Sequence, residues 1–174
     1  ATETSPEQVP LIGRQIIQIC REKKKPVIMA TQMLESMTAN LQPTRAEVND
    51  VATAVSLGVD AMMLSGETAT GAFPVETVQM MKRVILSTED YLAESHQLGT
   101  AHKLTAAHTA QDAVSLAAIT LANHVGAKLI LAETLTGSTA LSISSMRPNA
   151  SIVMASPDER VCNQIAISWG SKSF

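Results

Sequence analysis

The sequence predicts an α/β fold with parallel strands, and three observations support this class. Helical and extended patterns alternate along the 174 residues. Two apolar runs, 26–30 and 59–64, begin about 33 residues apart, a separation that suits a parallel strand–helix–strand unit and is too long for a hairpin. Segments rich in hydroxyls and acids directly follow both runs, at the strand ends where ligands bind in such folds.

The first helix and strand are predicted from residues 5–30. Apolar side chains recur at helical spacing between residues 6 and 24, Ser5 is a suitable cap, and the basic run at 21–25 suits the negative end of a helix dipole. The run PVIMA (26–30) is short and apolar throughout, which predicts a strand buried on both faces.

The second strand–helix pair begins at a capping signal. Thr44 and Glu47 of the PTRAE segment form a Thr-x-x-Glu capping box, and Gly58 is expected to end the helix that starts there. The run VDAMML (59–64) predicts the next strand. The polar loop SGETATGAF follows, and Pro74 is suited to the first turn of a long helix.

A second, smaller α/β unit is predicted after a polar connection at residues 94–108. Its first helix is rich in alanine, and Gly126 is expected to end it. The expected elements in chain order are a helix at 109–126, a strand at 127–133, a loop and helix at 134–148, a strand at 151–156, a short helix up to Ile165, and a last strand that AISWG (166–170) begins.

Composition and charge exclude several classes of function. With 13 basic and 16 acidic residues, the net charge of -3 argues against a nucleic-acid surface, and 2% aromatic residues provide few platforms for stacking bases. No apolar run reaches the roughly 20 residues that a membrane helix needs, and no leader pattern is visible at the start. We therefore expect a cytoplasmic protein that binds neither nucleic acid nor a membrane.

The cysteines and histidines do not form a metal-binding pattern. Cys20 and Cys162 are far apart and fit no metal or redox spacing, so we expect two reduced thiols. His96, His102 and His108 do not align on one helix face, and no pattern of carboxylates or cysteines accompanies them. We expect no metal site from these residues.

Three polar segments are candidates for ligand contact, and each has a simpler structural explanation. ATQMLES (30–36) and SGETATG (65–71) could turn and cap the chain, or could present hydroxyls and Glu67 to a ligand. The glycines of the second segment allow backbone N–H groups to face an anion. ETLTGSTA (133–140) has the strand, glycine loop and helix order that binds phosphate, but it contains no Lys or Arg and could equally be a capped helix start.

Three blocks of sequence together resemble one enzyme family. They are KPVIMATQMLESM, PTRAEVNDVATAV and DAMMLSGETATGAFPVETV, and their order and spacing resemble those of pyruvate kinase. The resemblance implies the last strand–helix units of a (β/α)8 TIM barrel in residues 1–93, a linker at 94–108, and part of a C-terminal, regulatory α/β domain at 109–174. It also implies transfer of the phosphoryl group of phosphoenolpyruvate to ADP, a glycolytic step that gives pyruvate and ATP.

The resemblance implies roles for residues at both strand ends. Thr31 matches the threonine whose hydroxyl contacts the substrate carboxylate, so it is expected to bind substrate and to take part in catalysis. Ser65 and Glu67 match the loop that lines the same pocket, and they are expected to belong to the hydroxyl and water chain that protonates the enolate. Arg45 and Glu47 match residues near a contact between subunits, in line with a homo-oligomer that is expected to be a tetramer.

The hydroxyl-rich segment after the third predicted strand resembles the family's effector site. Leu135 and Ser138 stand where members regulated by a sugar bisphosphate can carry basic residues, which argues against activation by fructose bisphosphate. A sugar monophosphate effector, or none, is an equally good expectation. The residues that match the phosphate-cradling turn are Thr134, Thr136, Gly137, Ser138 and Thr139.

The family uses Mg²⁺ and, commonly, K⁺, and the resemblance places their ligands outside this chain. The Arg-Gly-Asp type loop, the lysine that stabilises the transferring phosphoryl group and the K⁺ loop have no counterpart in the sequence. Since phosphoryl transfer depends on positioning and charge stabilisation, the chain alone is expected to be inactive. Two alternatives stay open: a stand-alone phosphosugar-binding regulatory module built on 109–174, and a lyase-type barrel acting on pyruvate or phosphoenolpyruvate.

Overall fold

The computed structural model describes residues 4–30, 32–95 and 109–174, which form two compact units. In chain order the helices and strands are α1 (Val9–Glu22), β1 (Ile28–Met29), α2 (Arg45–Leu57), β2 (Ala61–Met62), α3 (Gly66–Ala69), α4 (Pro74–Glu94), α5 (Ala110–Val125), β3 (Leu129–Glu133), α6 (Ser138–Ser145), β4 (Ser151–Ala155), α7 (Glu159–Ile165) and β5 (Ser171–Ser173), with 3₁₀ helices at Pro6–Gln8 and Glu35–Thr38.

The first unit, called here the two-stranded unit, comprises the described residues from Ile28 to Ser95. Its strands β1 and β2 are parallel and are joined through α2, as the spacing of the two apolar runs predicts. Helices α2 and α4 pack against each other. The buried apolar side chains of this unit are Met33, Leu34, Met37, Val51, Ala54, Val59 and Met81.

Local signals in the sequence correctly predict where the helices of this unit begin and end. The Thr44 hydroxyl accepts a hydrogen bond from the Glu47 amide, and the Glu47 carboxylate accepts one from the Thr44 amide, so the predicted capping box is present. Gly58 ends α2 with φ at 80° in the left-handed region, where glycine carries no Cβ penalty. Pro74 is the first residue of α4.

Two expectations for this unit are wrong in detail. The predicted strands 26–30 and 59–64 shrink to two residues each, and Ile28 is 47% exposed instead of buried on both faces. The reason is that, within the described residues, these two strands pair only with each other, so both are edge strands of a minimal sheet. The segment expected as a loop after β2 contains the short helix α3, whose first turn is closed by Thr68 and Ala69 amides on the Ser65 carbonyl.

The short pairing of β1 with β2 leads to a prediction about backbone protection. We expect the amides of Met29 and Met63, at the paired strand ends, to exchange with solvent faster than those of Leu131 and Ala132, because a two-residue ladder opens more readily than a five-residue one. Hydrogen exchange followed by NMR or mass spectrometry on the monomeric fraction measures this. The amides of β4, the central strand of its sheet, are the internal reference. Equal protection in the two sheets would contradict the prediction.

The second unit, called here the three-stranded unit, comprises residues 4–27 and 109–174. Its sheet is parallel, with order β3-β4-β5, and Leu129 lies opposite Ser151 in the register. Thr109 caps α5 through its hydroxyl, and Gly126 ends that helix with φ at 66°, as predicted. The core cluster consists of Ile119, Ala122, Ile130, Ala140, Ile143, Ala150, Ile152, Met154, Val161 and Ile165.

The last strand of this unit lies later than the sequence suggests. The sequence predicts that AISWG (166–170) begins it, but the strand is β5, directly after that segment. Gly170 has φ at 65°, so the chain turns there before it becomes extended. The hydrogen bond from the Ser171 amide to the Ser168 carbonyl closes this turn.

Helix α1 belongs to the same unit as the C-terminal residues, and charged side chains attach it there. Arg21 is 6% exposed and donates from Nη2 to the Ser145 carbonyl at 3.3 Å. Lys24 forms an ion pair with Asp112, whose carboxylate also accepts from the Ser142 hydroxyl at 3.2 Å. The hydrogen bond from Lys24 is the main reason that the pKa of Asp112 lies below its ordinary value.

Within residues 4–30, 32–95 and 109–174, no helix has both the length and the apolar composition needed to cross a bilayer.

Candidate functional site

The carboxyl ends of β1 and β2 lead into two segments that lie side by side. We call residues 32–38 the β1 loop and residues 63–70 the β2 loop. At the start of the loops the Met63 amide donates to the Met29 carbonyl at 2.8 Å, and at their far end the Ala72 amide donates to the Thr38 carbonyl at 2.8 Å. The structure therefore brings the first two candidate segments together, as expected for neighbouring parallel strands. Thr31 itself lies outside the described residues.

Glu67 joins the two loops through a single buried carboxylate. Its side chain is 0% exposed, Oε2 accepts from the Ser65 amide at 2.8 Å, and Oε1 accepts from the Leu34 amide at 3.3 Å. Burial raises the pKa of this carboxyl, but hydrogen bonds from the backbone of Glu67, Ser65 and Leu34 outweigh burial, so the pKa lies below its ordinary value. Glu67 is therefore a carboxylate at neutral pH.

Glu47 holds the β1 loop from the other side. Its carboxylate accepts from the Ser36 amide at 2.7 Å and from the Ser36 hydroxyl at 2.5 Å, in addition to its bonds with Thr44. Burial raises the pKa of Glu47, and the hydrogen bonds from Ser36 and Thr44 lower it further than burial raises it. Arg45, beside it in the sequence, is exposed. The role of Arg45 and Glu47 in a subunit contact stays a prediction.

Ser65 differs from Glu67 in its exposure. Its side chain is exposed, and it makes no capping hydrogen bond to α3 although it occupies the N-cap position. The Ser65 side chain therefore does not cap α3, and its hydroxyl is accessible at the end of β2. The catalytic roles predicted for Thr31, Ser65 and Glu67 stay predictions.

The third candidate segment forms a tight turn before α6. Thr134 is 4% exposed, and its hydroxyl accepts from the Gly137 amide at 2.9 Å. Gly137 has φ at 83°, and the Thr136 and Ser138 hydroxyls are hydrogen-bonded at 3.2 Å. We call residues 134–139 the hydroxyl turn. It places several hydroxyls near the start of α6, as predicted from its sequence.

The hydroxyl turn borders an open cavity of about 950 Å³. Thr134, Thr136, Ser138 and Thr139 line one side, and all ten lining residues lie in the described part of the chain. None of the ten is Lys or Arg, and Glu133 contributes a carboxylate. The site therefore offers hydroxyls and one carboxylate to a ligand, with no cationic side chain among the lining residues, and its effector role stays a prediction.

One contact of the hydroxyl turn has no signal in the sequence. The Gln111 side-chain amide donates to the Ser138 hydroxyl at 3.1 Å and to the Thr139 hydroxyl at 3.2 Å. Gln111 lies on α5, 27 residues before Ser138, and nothing in the local pattern of that helix marks it as a partner of the turn. Only the packing of α5 against α6 reveals it.

The described residues do not fit a metal site. Within the described ranges, no group of three or more His, Cys, Asp or Glu side chains could hold a metal ion. The carboxylate oxygens of Glu47 and Glu67 instead accept hydrogen bonds from backbone amides and, for Glu47, from hydroxyls of the protein. His96, His102 and His108 lie outside the described residues.

Comparison with known proteins identifies the family. Two family models match the chain: pyruvate kinase, barrel domain, over residues 1–78, and pyruvate kinase, alpha/beta domain, over residues 112–174. The chain belongs to the pyruvate kinase family. A pyruvate kinase from Agrobacterium vitis is 46% identical over 172 residues, covering 99% of this chain and 36% of the relative. One from Clostridium acetobutylicum is 42% identical over 170 residues, covering 94% of this chain and 34% of the relative.

Solved pyruvate kinase structures agree with the sequence comparison. A crystal structure of the Cryptosporidium parvum enzyme superimposes with a TM-score of 0.88 at 39% identity, covering 99% of this chain and 35% of that one. A structure of Cryptosporidium parvum pyruvate kinase in complex with ADP gives a TM-score of 0.83, also at 39% identity, and covers 98% of this chain and 34% of that one. The chain thus spans about a third of the length of these relatives.

The family assignment decides between the hypotheses drawn from the sequence. The resemblance to pyruvate kinase and the α/β fold class, with its barrel segment and C-terminal part, are confirmed. The stand-alone regulatory module is not supported, because the relatives match both halves of the chain as parts of one enzyme. The relatives described above are all pyruvate kinases, so they do not support the lyase hypothesis.

Proposed function

We propose that this chain is a segment of an enzyme that transfers the phosphoryl group of phosphoenolpyruvate to ADP in glycolysis, giving pyruvate and ATP. The observation that carries the proposal is the meeting of the β1 and β2 loops at the carboxyl ends of two parallel strands, where Glu67 joins them. Active sites of barrel enzymes lie at this end of the strands. We further propose that the enzyme is cytoplasmic.

We propose distinct tasks for the two hydroxyl residues of this site. The Thr31 hydroxyl donates to the carboxylate of phosphoenolpyruvate, which fixes the substrate in place. The exposed Ser65 hydroxyl lines the same pocket and belongs to the chain of hydroxyls and waters that delivers a proton to the enolate carbon. Positioned groups of this kind act by holding the reacting atoms in register.

The cofactors of this reaction bind outside the residues described above. The intact enzyme uses Mg²⁺ and K⁺, which supply charge stabilisation for the transferring phosphoryl group. No cluster within residues 4–30, 32–95 and 109–174 fits such an ion, so no step of the mechanism is assigned to a metal here. We further propose, from the resemblance to the family, that the 174-residue chain alone is inactive.

We propose a regulatory role and an assembly role for the remaining predicted residues. Residues 1–93 end the catalytic barrel, 94–108 connect, and 109–174 begin the C-terminal domain. The hydroxyl turn binds the phosphate of a sugar-phosphate effector. The cavity that it borders has a carboxylate and no Lys or Arg among its lining residues, so it favours a monophosphate over the more negatively charged bisphosphate. Arg45 and Glu47 lie near a contact between subunits of a homotetramer.

Replacing Thr31 by valine in the complete enzyme tests the proposed function. We expect kcat/KM for phosphoenolpyruvate to fall about 10- to 100-fold, because a hydrogen bond to a charged group is lost, while the melting temperature stays nearly unchanged because valine keeps the branched shape. A coupled assay with phosphoenolpyruvate, ADP, Mg²⁺ and K⁺ measures this.

The matched control is Thr120→Val, which removes an exposed hydroxyl on α5 that donates only to the Leu116 carbonyl of the same helix. Its kinetics should equal those of the parent enzyme. The 174-residue chain gives the background rate. Parent-like kinetics in Thr31→Val would show that Thr31 only shapes the strand end.

A further inference from the structure

The β1 loop is held at two backbone positions by carboxylates from different elements. The Leu34 amide donates to Glu67, which belongs to α3, and the Ser36 amide donates to Glu47, which belongs to α2. Leu34 is 0% exposed, so its amide has no access to water as a substitute partner. The position of this loop therefore depends on two acidic side chains that are distant from it in the sequence.

Glu67 binds both loops, whereas Glu47 binds only the β1 loop of the two. One oxygen of Glu67 binds the β1 loop at Leu34, and the other binds the β2 loop at the Ser65 amide. The carboxylate is 0% exposed, so it reaches neither solvent nor a ligand in this structure. A buried carboxylate is stable only when its oxygens are hydrogen-bonded, and these amides meet that need.

We propose that Glu67 and Glu47 are positioning residues for the active site. Glu67 sets the distance between the two loops by binding the Leu34 amide of the β1 loop and the Ser65 amide of the β2 loop. Of the two loops, Glu47 binds only the β1 loop, through both donors of Ser36, and it also caps α2 through Thr44. This inference rests on the proposed function for its catalytic consequence, but not for the contacts themselves.

The alternative role for Glu67 is direct proton transfer to or from the substrate. A group that transfers a proton must reach the reacting atom, directly or through one water, and its ionisation shapes the pH dependence of the rate. A positioning carboxylate has neither property. The two roles therefore predict different pH profiles once Glu67 is replaced by an amide.

The first measurement is amide exchange by NMR on the 174-residue chain. In Glu67→Gln, the amide group can no longer accept both bonds, so exchange at Leu34 or Ser65, or at both, should accelerate about tenfold or more while Ser36 stays protected. In Glu47→Gln, the Ser36 amide should accelerate and the Ser65 amide should not. Glu76→Gln, an exposed glutamate in the first turn of α4, is the matched control and should change none of the three.

The exchange experiment does not depend on activity, so it separates this proposal from the proposed function. Unchanged exchange at both Leu34 and Ser65 in Glu67→Gln would overturn the proposal even if the enzyme is a pyruvate kinase. If Glu67→Gln does not fold, Glu47→Gln and the acid titration of the Glu67 carboxyl carbon in the parent chain take its place. A Glu67 pKa at or above the ordinary value, or a Ser36 amide indifferent to Glu47→Gln, would overturn the proposal.

The second measurement is the pH–rate profile of the complete enzyme. Glu67→Gln should lower kcat/KM for phosphoenolpyruvate about 10- to 100-fold through misplacement of the loops, with the apparent pKa values of the profile unchanged. Glu47→Gln should cost less, because it releases one loop only. Loss of one limb of the profile in Glu67→Gln would assign the proton transfer to Glu67 itself and overturn the positioning role.

Discussion

Replacing Gly137 by alanine is expected to lower the free energy of unfolding of the three-stranded unit by about 2–4 kcal/mol. Gly137 has φ at 83°, where an added Cβ is strained in any surroundings. The Cβ would also lie 2.9 Å from Cγ2 of Ile165, a side chain that is 2% exposed and belongs to the close-packed core cluster. Both costs fall on the hydroxyl turn, because the Gly137 amide binds the Thr134 hydroxyl.

Urea unfolding followed by tryptophan fluorescence measures this change. Trp169 is the one tryptophan in the sequence, and it lies in the three-stranded unit, so its emission reports on that unit alone. The matched control is Gly126→Ala, since Gly126 has φ at 66° but an added Cβ there meets no atom within 4 Å. The control should lose only about 1–2 kcal/mol, the backbone part of the cost. Equal losses in both variants would show that the contact with Ile165 carries no energy.

Replacing Asp112 by asparagine is expected to lower the free energy of unfolding by about 2–3 kcal/mol at pH 7. Asp112 is 5% exposed, and its carboxylate binds both Lys24 and the Ser142 hydroxyl. Asparagine keeps the shape but removes the charge, which leaves Lys24 without its partner. The cost stays moderate because the Lys24 side chain is 26% exposed and can turn to water.

For the same variant, we expect the loss of stability relative to the parent to depend on pH. The pKa of Asp112 is lower in the folded protein than its ordinary value of 3.8, so its contribution is present above pH 4 and is lost as the pH falls through the folded pKa. The difference in stability between parent and Asp112→Asn should therefore shrink in acid. A double-mutant cycle with Lys24→Met isolates the pair, and a coupling energy near zero would contradict the assignment of the cost to this ion pair.

Elements encoded by neighbouring residues could be predicted from the sequence, and contacts between distant residues could not. The capping box of Thr44 and Glu47 spans three positions, and Gly58 and Gly126 end their helices through their own backbone conformation. The bond between Glu67 and Leu34 spans 33 positions, and its donor is a backbone amide, which no residue type reveals.

The candidate site shows the same division. The polar residues after β1 and β2 mark the two strand ends, so the meeting of the two loops could be predicted. The burial of each side chain could not be predicted, because the sequence predicts a loop where α3 forms, and the turn of α3 buries Glu67 completely and leaves Ser65 exposed. The apolar runs also predict longer strands than the structure has. An apolar run does not reveal how many partners its strand will have.

The attachment of α1 to the three-stranded unit has a consequence for synthesis on the ribosome. Lys24 and Asp112 are 88 residues apart, and Arg21 and Ser145 are 124 apart, with the whole two-stranded unit between them. At a usual elongation rate, the partner of Lys24 is added about 4–18 s after Lys24 itself. During that interval α1 has neither the partner of Lys24 nor the partner of Arg21. Nascent chains stalled between these points should therefore hold α1 less firmly than the completed unit does.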